Sequence, residues 1–397
     1  MSLLEIITRA AAAADSENYE SKYPIILNAN SILTDLKSDT TDDNTKLIKR
    51  VQGWKISETD TEIIESGNKF SKKLHKKLKN PKSFDRNEFL GFLDSFFKQI
   101  CEKVGVSTGI LNNNDDSTTS STCLMLEKCG GFIGKDVLSL ILKTSLNLEI
   151  WEVLKTLVIQ GVVCKDLIEI LVKKRRSDLL CLCIKHVSDI QSSDLVSLFK
   201  YFLTPLKGSH DTMMNVRKEW ENQANSAIDQ IGKQNDKKNL LAKEASILLM
   251  IAYDGFTSSE LCLHYLFASS NLDQLTLSFC LSRLSGTEML SLIKYLGKWL
   301  KKYEKFPQAA PCPKAAKKLG LKACDWVPSL KSVVKYLGVV LDEHFSKLVL
   351  YTEFQDELRL IDGVVKSLAC GASLCCSVAD VVENLKVEVE SQNADCA

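Results

Sequence analysis

The residue types in this chain that could do chemistry are cysteine, histidine and clustered lysine. Cys181, Cys183 and His186 fall within one apolar run, and thiolate with imidazole is a zinc ligand set. The spacing argues against a metal. Zinc sites use Cys-x2-Cys pairs with a second pair elsewhere, whereas residues two apart on a helix point about 200° away from each other. Adjacent Cys375 and Cys376 are equally poor as a chelate or redox pair. The chain has 14 cysteines, and Cys181, Cys183, Cys262, Cys280, Cys370, Cys375 and Cys376 all sit in apolar helical runs. Free cysteine packs as a small hydrophobe, so the expectation is reduced core cysteines in a cytosolic or nuclear protein, with no metal and no cofactor. Nucleophilic catalysis needs a nucleophile, a base and an orienter. The five histidines are His75, His186, His210, His264 and His344, and no G-x-S-x-G, P-loop or G-x-G-x-x-G pattern accompanies them. Neither an enzyme nor a small-molecule substrate is expected.

Lysine is the one polar feature with direction. KKLHKKLKNPK (72–82) holds Lys72, Lys73, Lys76, Lys77 and Lys79, and KKRR is Lys173, Lys174, Arg175 and Arg176. Lys317 and Lys318 lie in KAAKKLGLK (314–322), and KWLKKYEK (298–305) adds more. Cationic side chains bind phosphate backbone without reading sequence, so these residues are candidates for nuclear or nucleolar targeting and weak, non-specific RNA contact. The formal net charge is only +1, so any such contact is local. Among the tryptophans, Trp151, Trp299 and Trp326 are expected to pack within or between repeats. Trp220, on a hydrophilic stretch, is the candidate for an exposed partner contact.

These residues need elements to carry them. The 397 residues are 45% apolar, with only 7 prolines and 18 glycines, a composition that favours helices. Helices are expected over 3–14, roughly 45–80 and 86–104, the last with Phe89, Phe92, Leu93, Phe96, Phe97 and Ile100 on one face. Residues 1–106 therefore form an N-terminal helical segment, and the polar stretch 107–122 is a flexible linker. A helical-repeat domain follows over 123–303, then a Pro/Lys-rich connector over 304–328. A C-terminal helical segment spans 329–385, with a polar tail over 386–397. MSLLEIITRAAAAAD lacks the pattern of a secretory signal, and uncharged apolar windows fall short of the ~20 residues of a membrane span, so no membrane is expected.

Short helices follow one another from 134 to 203, and the rhythm resumes after a long hydrophilic helix around Trp220. Sliding the chain by 94 residues aligns Gly161 with Gly255, Asp166 with Glu260, and Asp194 with Glu288. Lys200 and Tyr201 then meet Lys294 and Tyr295. Apolar positions, a glycine stop and Ser/Thr-acid helix starts at Ser193 and Thr287 are kept. The fold expected is all-α: an irregular α-solenoid of stacked short helices with an internal duplication, units about 151–203 and 245–297, loosely of the HEAT or armadillo type.

DLLCLCIKHVSDIQSSDLVSLFKYFL (178–203), with His186, Val187, Asp189 and Ile190 at its hinge, resembles a segment of a nucleolar group. VVKYLGVVLDEHFSKLVL (333–350), with Leu341, Asp342, His344 and Phe345, resembles the C-terminal end of the same group. The group is the nucleolar protein 11-like (Utp8-like) subunits of the small-subunit processome, and the resemblance covers roughly residues 134–385. Members usually carry an N-terminal β-propeller, whereas residues 1–106 here read as helices. The resemblance implies a non-enzymatic nucleolar scaffold that holds other protein subunits together and supports ribosomal RNA transcription and early processing. It transfers no individual site residue. The alternative is a cytoplasmic helical-repeat adaptor in trafficking or degradation.

Overall fold

The computed structural model describes residues 58–79, 84–106, 118–232 and 236–395. The helix expected over 3–14 and the start of that expected near 45 lie outside these residues. Contacts group 58–397 as one compact unit, separate from 1–57. The described residues of this unit form α-helices and two short 3-10 turns, with no strand among them.

The first helices are built by caps and aromatic faces. α1 is Glu58–Leu78 and α2 is Arg86–Val104. The Asp85 side chain accepts from the backbone N–H of Asn87 and Glu88, and Gly105, at φ 75°, closes the other end. Phe70 of α1 stacks on Phe92 and Phe96 of α2, with ring centroids 4.6 and 4.2 Å apart. α3 (Thr118–Cys129) packs along α2. Two expectations change here. Residues 118–122 of the supposed linker are helical, and Thr122 is buried. Cys101 and Cys129 form a disulfide, with Cα atoms 6.1 Å apart, so two buried cysteines are not free and α2 is tied to α3 across the supposed boundary.

The middle of the chain continues through α4 (Lys135–Asn147), α5 (Trp151–Ile159), α6 (Leu167–Lys173), α7 (Ser177–His186) and α8 (Ser192–Leu203). α9 (His210–Asp229) and α10 (Asp236–Tyr253) form a long hairpin. Then come α11 (Ser258–Ala268), α12 (Gln274–Ser282) and α13 (Gly286–Lys305). Gly161 and Gly255, at φ 74° and 73°, end α5 and α10 in the left-handed conformation that glycine adopts without steric cost. The helix starts differ from expectation. α13 opens with a full capping box between Ser285 and Glu288, so Thr287 is already inside the helix. α8 opens at Gln191, with no side-chain cap from Ser193.

The connector carries α14 (Pro313–Leu319) and a 3-10 turn over Lys322–Trp326. α15 (Leu330–Leu350) is kinked at His344, whose Nε2 lies 3.0 Å from the Leu281 carbonyl. α16 (Thr352–Asp395) is the longest helix among the described residues, and it continues through most of the stretch expected to be tail. Phe354, Ile361 and Val364 anchor its first turns against α13 and α15, while residues 369–386 are exposed throughout. Gly297 permits that anchorage. A Cβ there would lie 3.3 Å from Cγ1 of Ile361. Gly297→Val should therefore push α16 off α13 and cost about 1–3 kcal/mol in urea unfolding, with Gly297→Ala much milder.

Candidate functional site

Trp220 belongs to the interior, which overturns its expected role as an exposed contact. Met213, Val216, Trp220, Ala224 and Ala227 form a buried stripe along α9, and Trp220 has no exposed surface. The stripe is at helical spacing, but two of its five members are alanines, so polar residues dominate the composition of the helix and mask its apolar face. Trp220 meets the His264 ring edge-on at 5.3 Å between centroids. Phe256 and Trp299 close on the same imidazole, at 4.7 and 4.9 Å.

His264 is wholly buried and fully hydrogen-bonded. Its Nε2 is 2.9 Å from the Ala252 carbonyl and its Nδ1 is 2.8 Å from the Tyr295 hydroxyl. A carbonyl only accepts, so Nε2 carries the proton and Tyr295 donates to Nδ1. Burial pushes the imidazole down to about 3, against a modest opposing effect from the Ala252 carbonyl. The group is a neutral structural link, not a base.

The cysteines divide by position. Cys181, Cys183, Cys262 and Cys280 are buried, as expected, and burial lifts the Cys183 thiol to about 12. Cys370, Cys375 and Cys376 are exposed, because their helix has left the body by that point. Among the described residues, no group of His, Cys, Asp and Glu is arranged to hold a metal ion. A cleft of about 500 Å3 lies between α6 and α8 and is lined by Asp166, Glu169, Asp189 and Asp194. Burial, then the nearby charges of Asp166 and Glu169, raise the Asp194 carboxyl.

The basic clusters separate into bound and free charges. Lys173 pairs with Glu169 at 2.6 Å, and Lys174 pairs with Glu149. Arg175 Nη1 donates to the Lys207 carbonyl at 2.7 Å, across Gly208. Arg176 makes two hydrogen bonds to Asp178, at 3.0 and 2.7 Å, and its guanidinium stacks on Trp151 at 4.4 Å. Arg175 and Arg176 therefore link α5, α7 and the loop after α8, whereas Lys173 and Lys174 make exposed pairs, the first of them within α6 itself. Lys77 is held by Glu88 and lies over the Phe92 ring. Lys72, Lys73, Lys76 and Lys79 are exposed, as are Lys317 and Lys318, which lie on α14. The structure does not bring these two groups into one described site.

Among the described residues, α16 carries a long run of exposed apolar side chains. Leu374, Val378, Val381, Val382 and Leu385 are each more than half exposed. The helix over Thr352–Lys386 is long and apolar enough by composition to cross a membrane, with a mean hydropathy of 1.5 in its best window. Lys366 and Asp380 interrupt that window. The 13 uncharged residues between them span about 20 Å, against a hydrocarbon core of about 30 Å. Sequence reading placed residues 370–376 in a core, because apolar composition marks a face that will be covered without saying by what.

The chain matches no family model, no curated protein and no solved structure. The buried imidazole makes a test of the interior. An unfolded histidine titrates near 6.5 and this one near 3. Between those values the unfolded state binds the proton and the folded state does not, so stability falls as pH falls through that window. The loss is up to about 1.4 kcal/mol per pH unit from this one residue. Urea midpoints measured between pH 7 and 5 should drop with that slope, and His264→Gln should flatten it while lowering stability at pH 7.

Proposed function

We propose that this chain is a non-enzymatic nucleolar scaffold. It holds other protein subunits of one complex together and supports ribosomal RNA transcription and early pre-ribosomal RNA processing for the small subunit. The supporting observation is the exposed apolar surface of α16, together with Phe345, Val349 and Leu350 exposed on α15. Monomers seldom leave apolar area of this extent to water, and a surface of this kind is matched by protein. The stacked helices give it a stiff mount, which we read as an irregular α-solenoid containing a duplicated unit of about 151–203 and 245–297. The nucleolar assignment rests on the resemblance of 178–203 and 333–350 to processome subunits.

RNA plays the smaller part in this reading. Lys72, Lys73 and Lys76 share the outer side of α1, and Lys317 and Lys318 lie on α14, so each group offers a weak contact to phosphate. Arg175 and Arg176 are assigned to holding helices together, and Lys173 and Lys174 remain exposed candidates for phosphate. Purification of the tagged full-length chain from nuclear extract, with and without ribonuclease, tests the proposal. Small-subunit processome proteins should be recovered in both arms. Replacing Lys72, Lys73 and Lys76 by Glu should reduce co-purifying RNA and leave those proteins in place. Recovery of membrane-coat or ubiquitin-pathway proteins in their stead would move the chain to a cytoplasmic adaptor, and exclusion from nucleoli would overturn the nucleolar reading.

A further inference from the structure

The free half of α16 cannot be stable as a lone helix in water. Residues 369–386 touch nothing that buries them, and they include Gly371 with several valines and serines. Glycine and β-branched residues weaken helices, and isolated helices of this length are marginal even with good formers. The segment must be covered, and its pattern states the form of the cover. Gly371, Leu374, Val378, Val381 and Leu385 recur at spacings of 3, 4, 3 and 4, the seam of a coiled coil. The four large members are between 56% and 63% exposed.

We propose that α16 pairs antiparallel with α16 of a second copy of this chain along that seam. Two observations choose a second copy. In coiled coils the charges flanking the seam select the partner. Here the flanking positions are Cys370, Cys375, Ser377, Val382 and Asn384, all uncharged. Nothing there repels an identical helix or encodes a different one. The charged residues Lys366, Asp380 and Glu383 fall on the far side. The second observation is volume. An antiparallel pair centred near Cys376 sets Ser367 against Leu385, Gly371 against Val381 and Leu374 against Val378. Each layer joins a smaller residue to a larger one, which is how facing helices fill space. A parallel pair would stack Gly371 on Gly371 and Ser367 on Ser367, leaving voids. Gly371 has no such purpose in the single chain, where an added Cβ would meet nothing within 4 Å.

The anchored half agrees with this direction. Val364 is buried against the body, so the seam opens only from Ser367 onward. Antiparallel overlap uses the open part of both copies and sets the two bodies at opposite ends. A bilayer is the poorer cover, because the uncharged run is about 10 Å short of the hydrocarbon thickness. The pairing needs no nucleolar partner and covers only the seam of α16, leaving Phe345, Val349 and Leu350 of α15 to the other subunits of the scaffold reading.

Light scattering on the purified full-length chain is the first test, with a mass of twice 44.3 kDa expected at micromolar concentration. Val378→Glu combined with Val381→Glu should return the mass to 44.3 kDa and remove only the small helical signal of residues 369–386 from the circular dichroism spectrum, with the thermal unfolding of the body unchanged, since both side chains are exposed in the single chain. Direction is read by cross-linking in a background where Cys370, Cys375 and Cys376 are serine. Leu385→Cys alone should give no disulfide dimer, because the two copies of that residue sit about 27 Å apart in the antiparallel pair. Adding Ser367→Cys should produce one. A monomeric wild-type chain, a dimer that survives both glutamates, or cross-linking by Leu385→Cys alone would overturn the proposal. So would capture of the wild-type chain by phosphatidylcholine vesicles as a monomer.

Discussion

The packing of α9, α10, α11 and α13 converges on one imidazole buried without charge. His264 stands where α9, α11, α13 and the end of α10 converge, and it can stay there only as the neutral ring. Water would hydrate a polar ring freely, so the fold must replace both of its hydrogen bonds. The Ala252 carbonyl and the Tyr295 hydroxyl do so, from two different helices. The surrounding rings of Trp220, Phe256 and Trp299 then exclude solvent. Because both hydrogen bonds have direction, one orients the imidazole against α10 and the other ties it to Tyr295 of α13. Gly297, between Tyr295 and Trp299 in that helix, is where α16 comes close, with Ile361 in the space that a Cβ would need.

Charge is used conservatively in the same body. Arg175 and Arg176 are donors to neighbours, and Arg176 has its planar group matched to a carboxylate on one side and an indole on the other. Exposed pairs such as Lys173 with Glu169 contribute little to stability and can exchange with solvent ions. The partly buried Arg176 pair is different, because its geometry is bidentate and its surroundings exclude part of the screening water. A run of four cations in sequence is thus divided by local geometry into structural and surface roles.

α16 joins two environments in one helix. Its first turns obey the core, with Phe354, Ile361 and Val364 turned toward α13 and α15. Its later turns keep an apolar pattern after the core has ended. The buried face and the heptad seam meet at Val364, one heptad before Gly371, so one apolar stripe passes from the body to an open neighbour.

Helix type was legible in the sequence because period, caps and stops are local. The run from Phe89 to Ile100, the stop at Gly161 and the acid at Glu288 each depend on neighbours within one or two turns. What surrounds a helix is not local. Trp220 lies among Lys, Glu and Asn in sequence, and the approach of α11, with His264 and Tyr265 against its ring, makes it interior. Cys101 and Cys129 meet because α2 and α3 pack, a fact that no spacing announces. Conversely, Cys370, Cys375 and Cys376 sit in an apolar run that the body never covers. The sequence by itself determined the all-helical class and most of the helices, through local period, caps and stops. Only the tertiary structure decided which stripes are buried, which cations are paired and where the chain remains open, because burial is set by contacts between residues far apart along the chain.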